Sequence, residues 1–127
     1  MESQAVYQTE TTYNQATYPE ITKLLLKSGV SPAHSGFKYI CEAVVQIAND
    51  PTILHRVVKG LYANIGKKFN VTPASVERNI RHAIESAADT ESFQKVIRGY
   101  CPEYSLKPTN SQFLALVNEI LMNNFSV

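Results

Sequence analysis

Residues 61–87 read LYANIGKKFNVTPASVERNIRHAIESA. The stretch divides into a short helix, a tight turn and a longer helix. Ile65 and Phe69 stand four apart, the spacing of the buried side of a helix. Gly66 is small, so a neighbouring helix can approach closely there. Asn70 falls where the turn needs positive φ, which Asn tolerates better than most residues. Thr72 is a good N-cap, and Pro73 suits the first helical position because its missing donor would go unpaired anyway. In the second helix Val76, Ile80, Ala83, Ile84 and Ala87 share one face. At about 100° per residue the opposite face carries Ala74, Ser75, Arg78, Arg81, His82 and Glu85, with Glu77 and Asn79 on the flanks.

A helix that turns small and basic side chains outward from its N-terminal half suits the major groove of duplex DNA. Its positive dipole end points at phosphates, and arginine can fork to guanine edges. Lys67 and Lys68 on the preceding helix are placed to hold the flanking backbone. The same pattern also fits an αα-hairpin of an ordinary bundle with a solvated basic face, so it leaves both readings open.

Working outward, the rest reads as helices separated by Gly, Pro and Asn. Glu20 to Ser28 is a short helix closed by Gly29, which can take the left-handed conformation. Phe37, Ile40, Cys41, Val44, Val45 and Ala48 mark a helix starting near Ser35 and stopping before Asp50-Pro51. Ile53, Leu54, Val57, Val58 and Leu61 mark another. Glu91 to Arg98 follows, ended by Gly99. The last helix starts at Thr109, which has capping-box spacing to Gln112. Phe113, Leu116, Val117, Ile120 and Leu121 form its apolar stripe, read first as core and second as a dimer contact. Tyr39, Tyr62 and Tyr100 are expected in or at the edge of the core. No strand is expected; Tyr100 to Leu106 is at most a short extended piece. The expected fold is all-α, about six helices in a bundle containing a helix-turn-helix.

Residues 1–19 differ from the rest. They are rich in Gln, Thr and Tyr, with no apolar period, and read as a disordered polar arm that includes Tyr7, Tyr13 and Tyr18. Residues 20–127 are expected to form one helical domain, a common size for a single core. The net charge is +1, but it is unevenly spread. Residues 55–107 hold nine Lys/Arg against five Asp/Glu, while residues 1–54 hold three against five. The middle of the chain is thus a mildly basic island, suited to phosphate but equally to an ordinary solvated face.

Other function classes find little support. Cys41 and Cys101 fit no zinc or redox spacing and read as reduced thiols of a cytoplasmic protein. His34, His55 and His82 form no metal-binding pattern, and Ser75 has no base partner visible in the sequence. No apolar run approaches the roughly 18–20 residues of a membrane span. No metal, cofactor, small-molecule substrate, membrane or catalytic activity is expected.

SVERNIRHAIE, with IGKKFN upstream, resembles the C-terminal DNA-binding effector domain of the sporulation stage-zero transcription factor A family of endospore-forming bacteria. KPTNSQFLALV resembles that family's last helix, and GVSPAHSG with FKYICEAV its first long helix. The likeness runs from about Glu20 to Leu121. It implies a six-helix domain whose SVERNIRHAIE helix enters the major groove of double-stranded DNA, often as tandem copies that touch through the last helix. Glu77 and Arg78 match positions that meet bases, and Arg81 and His82 match positions near base edges or phosphates. The chain also departs from the family. Ser75 stands where Arg is usual, Gly66 where Ala is usual and Asn79 where a small residue is usual. Ala87-Ala88-Asp89-Thr90 replaces a Trp and an Arg-Gly turn, and the Pro-Ala-His triplet is displaced by one place between its flanking glycines. Residues 1–19 could not form the α/β phosphoacceptor domain that family proteins carry. The expectation is a sequence-specific transcription regulator without a receiver. The alternative is an interaction paralogue that pairs with a full-length regulator and reads no DNA itself.

Overall fold

The computed structural model describes residues 17–100 and 107–126, with side chains described through residue 123. The expectations for most of the arm, for Cys101 and for the extended piece after Tyr100 lie outside those residues. Among the described residues there are six α-helices and no strand. They are α1 (Tyr18–Lys27), α2 (Ser35–Asn49), α3 (Ala63–Phe69), α4 (Pro73–Ala88), α5 (Glu91–Tyr100) and α6 (Asn110–Ser126).

Each boundary has a local cause. Thr17 caps α1, its Oγ1 accepting from Glu20 N at 3.4 Å, and Pro19 sits in the first turn where it lacks nothing. The helix therefore starts at Tyr18 rather than Glu20, and Tyr18 leaves the arm. Gly29, at φ 85°, closes α1: Val30 N donates to Leu25 O at 3.0 Å and Gly29 N to Leu26 O at 3.1 Å. This paired closure satisfies carbonyls that a helix end leaves open, and buries Val30. α2 spans the expected range and stops at Asp50 before Pro51. Thr90 starts α5 by accepting from Phe93 N at 3.1 Å. α5 runs through Gly99 to Tyr100, and Tyr100 is 51 % exposed, not a core or boundary residue. The capping box of α6 forms as expected, with Thr109 N donating to Gln112 Oε1 at 2.9 Å and Gln112 N to Thr109 Oγ1 at 3.2 Å.

The region before α3 departs from the sequence reading. The apolar spacing of Ile53, Leu54, Val57, Val58 and Leu61 fits one α-helix, but the backbone makes a 3-10 turn (Pro51–His55) and a π-turn (Val57–Tyr62) that runs into α3. Asp50 Oδ1 accepts from Thr52 N at 3.2 Å, and Asp50 Oδ2 meets Arg56 Nη2 at 3.2 Å, which tightens the first turn. Leu61 N reaches back five residues to Arg56 O at 3.1 Å, so one extra residue enters the turn. Val58 is thereby turned outward and is 63 % exposed.

One core joins the helices. α2 is central and packs on α1, α4 and α6 through Tyr39, Ile40, Ala43, Val44 and Ile47. Phe93 of α5 stacks on Phe113 of α6 with ring centroids 5.7 Å apart. The α6 stripe of Phe113, Leu116, Val117, Ile120 and Leu121 is buried, as its first reading required. Removing these groups from water is the main drive for the fold.

Candidate nucleic-acid interface

The helix-turn-helix consists of α3, the turn Asn70–Thr72 and α4. Asn70 takes the left-handed conformation at φ 59°, ψ 47°, among the described residues the one non-glycine with positive φ. The chain then folds back, and Val71 N donates to Gly66 O at 2.9 Å. A side-chain carbon at Gly66 would lie 2.5 Å from Val71 O. The close approach expected at Gly66 is therefore real, but it is the turn's own backbone that approaches. Thr72 Oγ1 accepts from Ser75 N at 3.1 Å, and Pro73 opens α4. These contacts fix the angle between α3 and α4 from within the motif.

Val76, Ile80, Ala83, Ile84 and Ala87 are all buried, so the core face of α4 is as expected. The remaining surface splits into three strips. Ala74, Arg78 and His82, spaced by four, form an exposed crest. On one flank, Ser75 and Asn79 are half-buried; Asn79 Nδ2 donates to Ser75 O at 2.8 Å and lies 3.2 Å from Ser75 Oγ. This flank meets the start of α2, where a methyl on Gly36 would collide with the Asn79 carbonyl. On the other flank, Glu77 and Arg81 pair across one turn, Arg81 Nε to Glu77 Oε2 at 3.0 Å. The Glu77 carboxylate holds the Arg81 guanidinium protonated even more firmly than usual. That flank lines an open cleft of about 430 Å³ with Tyr62, Glu85 and residues 107–111.

The two lysines of α3 have different surroundings. Lys67 is exposed. Lys68 Nζ instead reaches Glu42 Oε1 of α2 at 2.7 Å. Glu42 is buried, and its other donors are Tyr18 Oη and Gln46 Nε2, the latter at 3.2 Å from Oε2. Burial alone would raise the Glu42 pKa, but the hydrogen bonds from Lys68, Tyr18 and Gln46 together bring it below the ordinary carboxylate value. The same contact raises the Lys68 pKa. Sequence reading missed Glu42 and Tyr18 because they lie 26 and 50 residues from Lys68, with no local signal linking them.

Among the described residues, no group of His, Cys, Asp and Glu is placed to hold a metal ion, and no helix is long and apolar enough to cross a membrane. Cys41 is a buried thiol whose pKa is pushed up by that burial.

On α4, Arg78 and His82 are thus outermost and Ser75, Glu77 and Arg81 lie on its shoulders, while on α3 Lys67 is exposed and Lys68 is drawn to Glu42. The family described as sporulation initiation factor Spo0A C terminal matches residues 21–121, most of the chain. The match spans α1 to α6 and contains every residue of this surface. The chain therefore belongs to the Spo0A C-terminal family and is a DNA-binding effector domain of the sporulation transcription-factor type.

Proposed function

We propose that α4 lies in the major groove with the Ala74–Arg78–His82 crest toward the base edges. The observation that carries this is the exposed crest on a helix whose N-terminus is capped and held by the Asn70 turn. First-turn residues of such a helix come nearest the bases, and its unpaired N–H groups favour phosphate. Arg78 is the residue to fork to guanine. Lys67 meets the flanking backbone, whereas Lys68 does so only by leaving Glu42. Glu77 and Arg81 act as a pair from the shoulder, so Arg81 reaches phosphate only by loosening its bond to Glu77. Ser75, short and turned toward Asn79, reads a base edge less sharply than an arginine would.

The test is a titration of wild type and Arg78→Ala against a family box and a scrambled duplex at two salt concentrations. Arg78→Ala is expected to cost about 1–3 kcal/mol on the box and much less on scrambled DNA. Wild-type affinity is expected to fall steeply with salt, by a log–log slope of about −0.9 per phosphate neutralised. Salt-independent binding, or an Arg78→Ala protein that discriminates as well as wild type, would overturn the groove placement. No binding to either duplex favours the second reading, an interaction paralogue. One observation points that way: four of the candidate side chains, Lys68, Ser75, Glu77 and Arg81, already have partners within the chain.

A further inference from the structure

Asn110, the first residue of α6, reaches both arms of the helix-turn-helix. Its Nδ2 donates to the main-chain oxygen of Glu77 at 3.1 Å and to Tyr62 Oη at 3.0 Å. One amide nitrogen carries two hydrogens, so both bonds can be made at once. Tyr62 is 4 % exposed and ends the π-turn that continues into α3. Glu77 lies in the N-terminal half of α4, one residue before Arg78. A single side chain therefore ties α6 to the helix before the turn and to the helix after it.

The surroundings make this tie important. Along the same edge, α4 and the start of α6 line the open cleft through Glu77, Arg81 and residues 107–111. Most of the residues lining that edge are polar or charged, and the apolar core that α4 and α6 share lies beneath them. Side-chain packing resists a shift of a few tenths of an ångström; an open polar edge does so only through its hydrogen bonds. Asn110 is itself held in place by the capping box of Thr109 and Gln112 immediately around it.

We infer that Asn110 is a positioning residue for base reading: it sets the tilt of the N-terminal half of α4, and so the reach of Arg78, through the Glu77 carbonyl. It touches no DNA itself. Loss of the tie leaves α4 folded and charged but free to rock on its α6 side. Contacts to phosphate tolerate such rocking because they need only charge nearby, whereas a forked contact to a base edge does not. The inference rests on the groove placement of α4 proposed above.

The test measures affinity for the family box and for a scrambled duplex with wild type, Asn110→Ala, Tyr62→Phe and, in parallel, Arg78→Ala, with melting temperatures recorded without DNA. For Asn110→Ala the box-over-scrambled affinity ratio is expected to fall about tenfold, the worth of roughly two net hydrogen bonds. Scrambled-duplex affinity stays within about twofold. Tyr62→Phe, which keeps the Glu77 bond, is expected to fall about threefold and serves if Asn110→Ala does not fold. A purely structural role would lower the melting temperature and leave the ratio unchanged, because a reduced folded fraction weakens both affinities alike. If Arg78→Ala loses discrimination while the Asn110 and Tyr62 variants keep it, the positioning role is wrong and the groove placement stands. If Arg78→Ala also keeps it, the groove placement itself has failed.

Discussion

The two flanks of α4 are built in opposite ways. Toward α2 the helix is in backbone contact, with Gly36 against the Asn79 carbonyl and 3.0 Å left between a Gly36 methyl and Ala83 Cβ. Toward α6 it faces a cleft of about 430 Å³ that Asn110 bridges. The first flank sets position by excluded volume, which has no give; the second sets it by hydrogen bonds, which can be exchanged with water. A helix clamped on one side and tethered on the other has a defined pivot. Substitutions on the two flanks should therefore fail differently, the first by unfolding and the second by loss of register on DNA.

The largest effect is expected from Gly36→Ala, which drives a methyl into a main-chain carbonyl that cannot rotate away. A loss of about 3 kcal/mol or more in denaturant unfolding is expected; wild-type stability would show that the α2 flank is not sealed. Next comes Leu116→Ala, which asks whether α6 is a fixed wall of the cleft. Leu116 is 8 % exposed, so a loss of about 2–3 kcal/mol is expected. Unchanged melting with lost self-association would make the stripe an interface instead. Thr109→Ala removes the cap that holds Asn110 at the mouth of the cleft, at an expected cost of about 1 kcal/mol. Discrimination between duplexes should fall with it; discrimination unmoved would separate the cap from the tether.

The smallest effect concerns Glu42, which lies on neither flank. Its pKa is lower folded than unfolded, so it stabilises the fold above the unfolded value, and that contribution disappears as pH falls toward the folded value. Melting temperature should therefore fall on acidification through and below the ordinary carboxylate range, less steeply in Glu42→Gln. Identical acid profiles would mean that the carboxylate is not held as described. Glu42→Gln should also free Lys68 for phosphate and steepen the salt dependence by at most one contact.

What was legible in the sequence was what neighbouring residues decide together. Asn70, Thr72 and Pro73 state the turn and the start of α4 within four residues, and the period of Val76, Ile80, Ala83 and Ile84 gives its core face. Thr109 and Gln112 state the α6 cap in the same way. The rest depends on partners far along the chain. Nothing near Lys68 says that Glu42 will hold it, and nothing near Tyr18 says that it will leave the arm to join them. Nothing near Asn110 points to Tyr62, 48 residues earlier. The division of the α4 surface into crest and shoulders was equally hidden. A helical wheel puts Ser75 and Arg81 on the outward side with Arg78, but the structure shows that each leans on a residue four away on α4 itself, Ser75 on Asn79 and Arg81 on Glu77. The π-turn escaped for another reason: closure across five residues leaves the apolar positions looking like an α-helix with one side chain misplaced.

That misplaced side chain has a consequence for the length of the chain. A turn closed by Leu61 N on Arg56 O holds one residue more than an α-helical turn. Deleting Val58, its exposed apolar member, would let the backbone close across four residues and run on into α3 with its rotational phase kept. The same deletion in α4 would swing every later side chain by about 100° and carry the core face into solvent. Within the helix-turn-helix and its approach, the stretch 57–62 is thus where the domain can absorb a change of one codon while the surface carrying Arg78 and His82 stays in place.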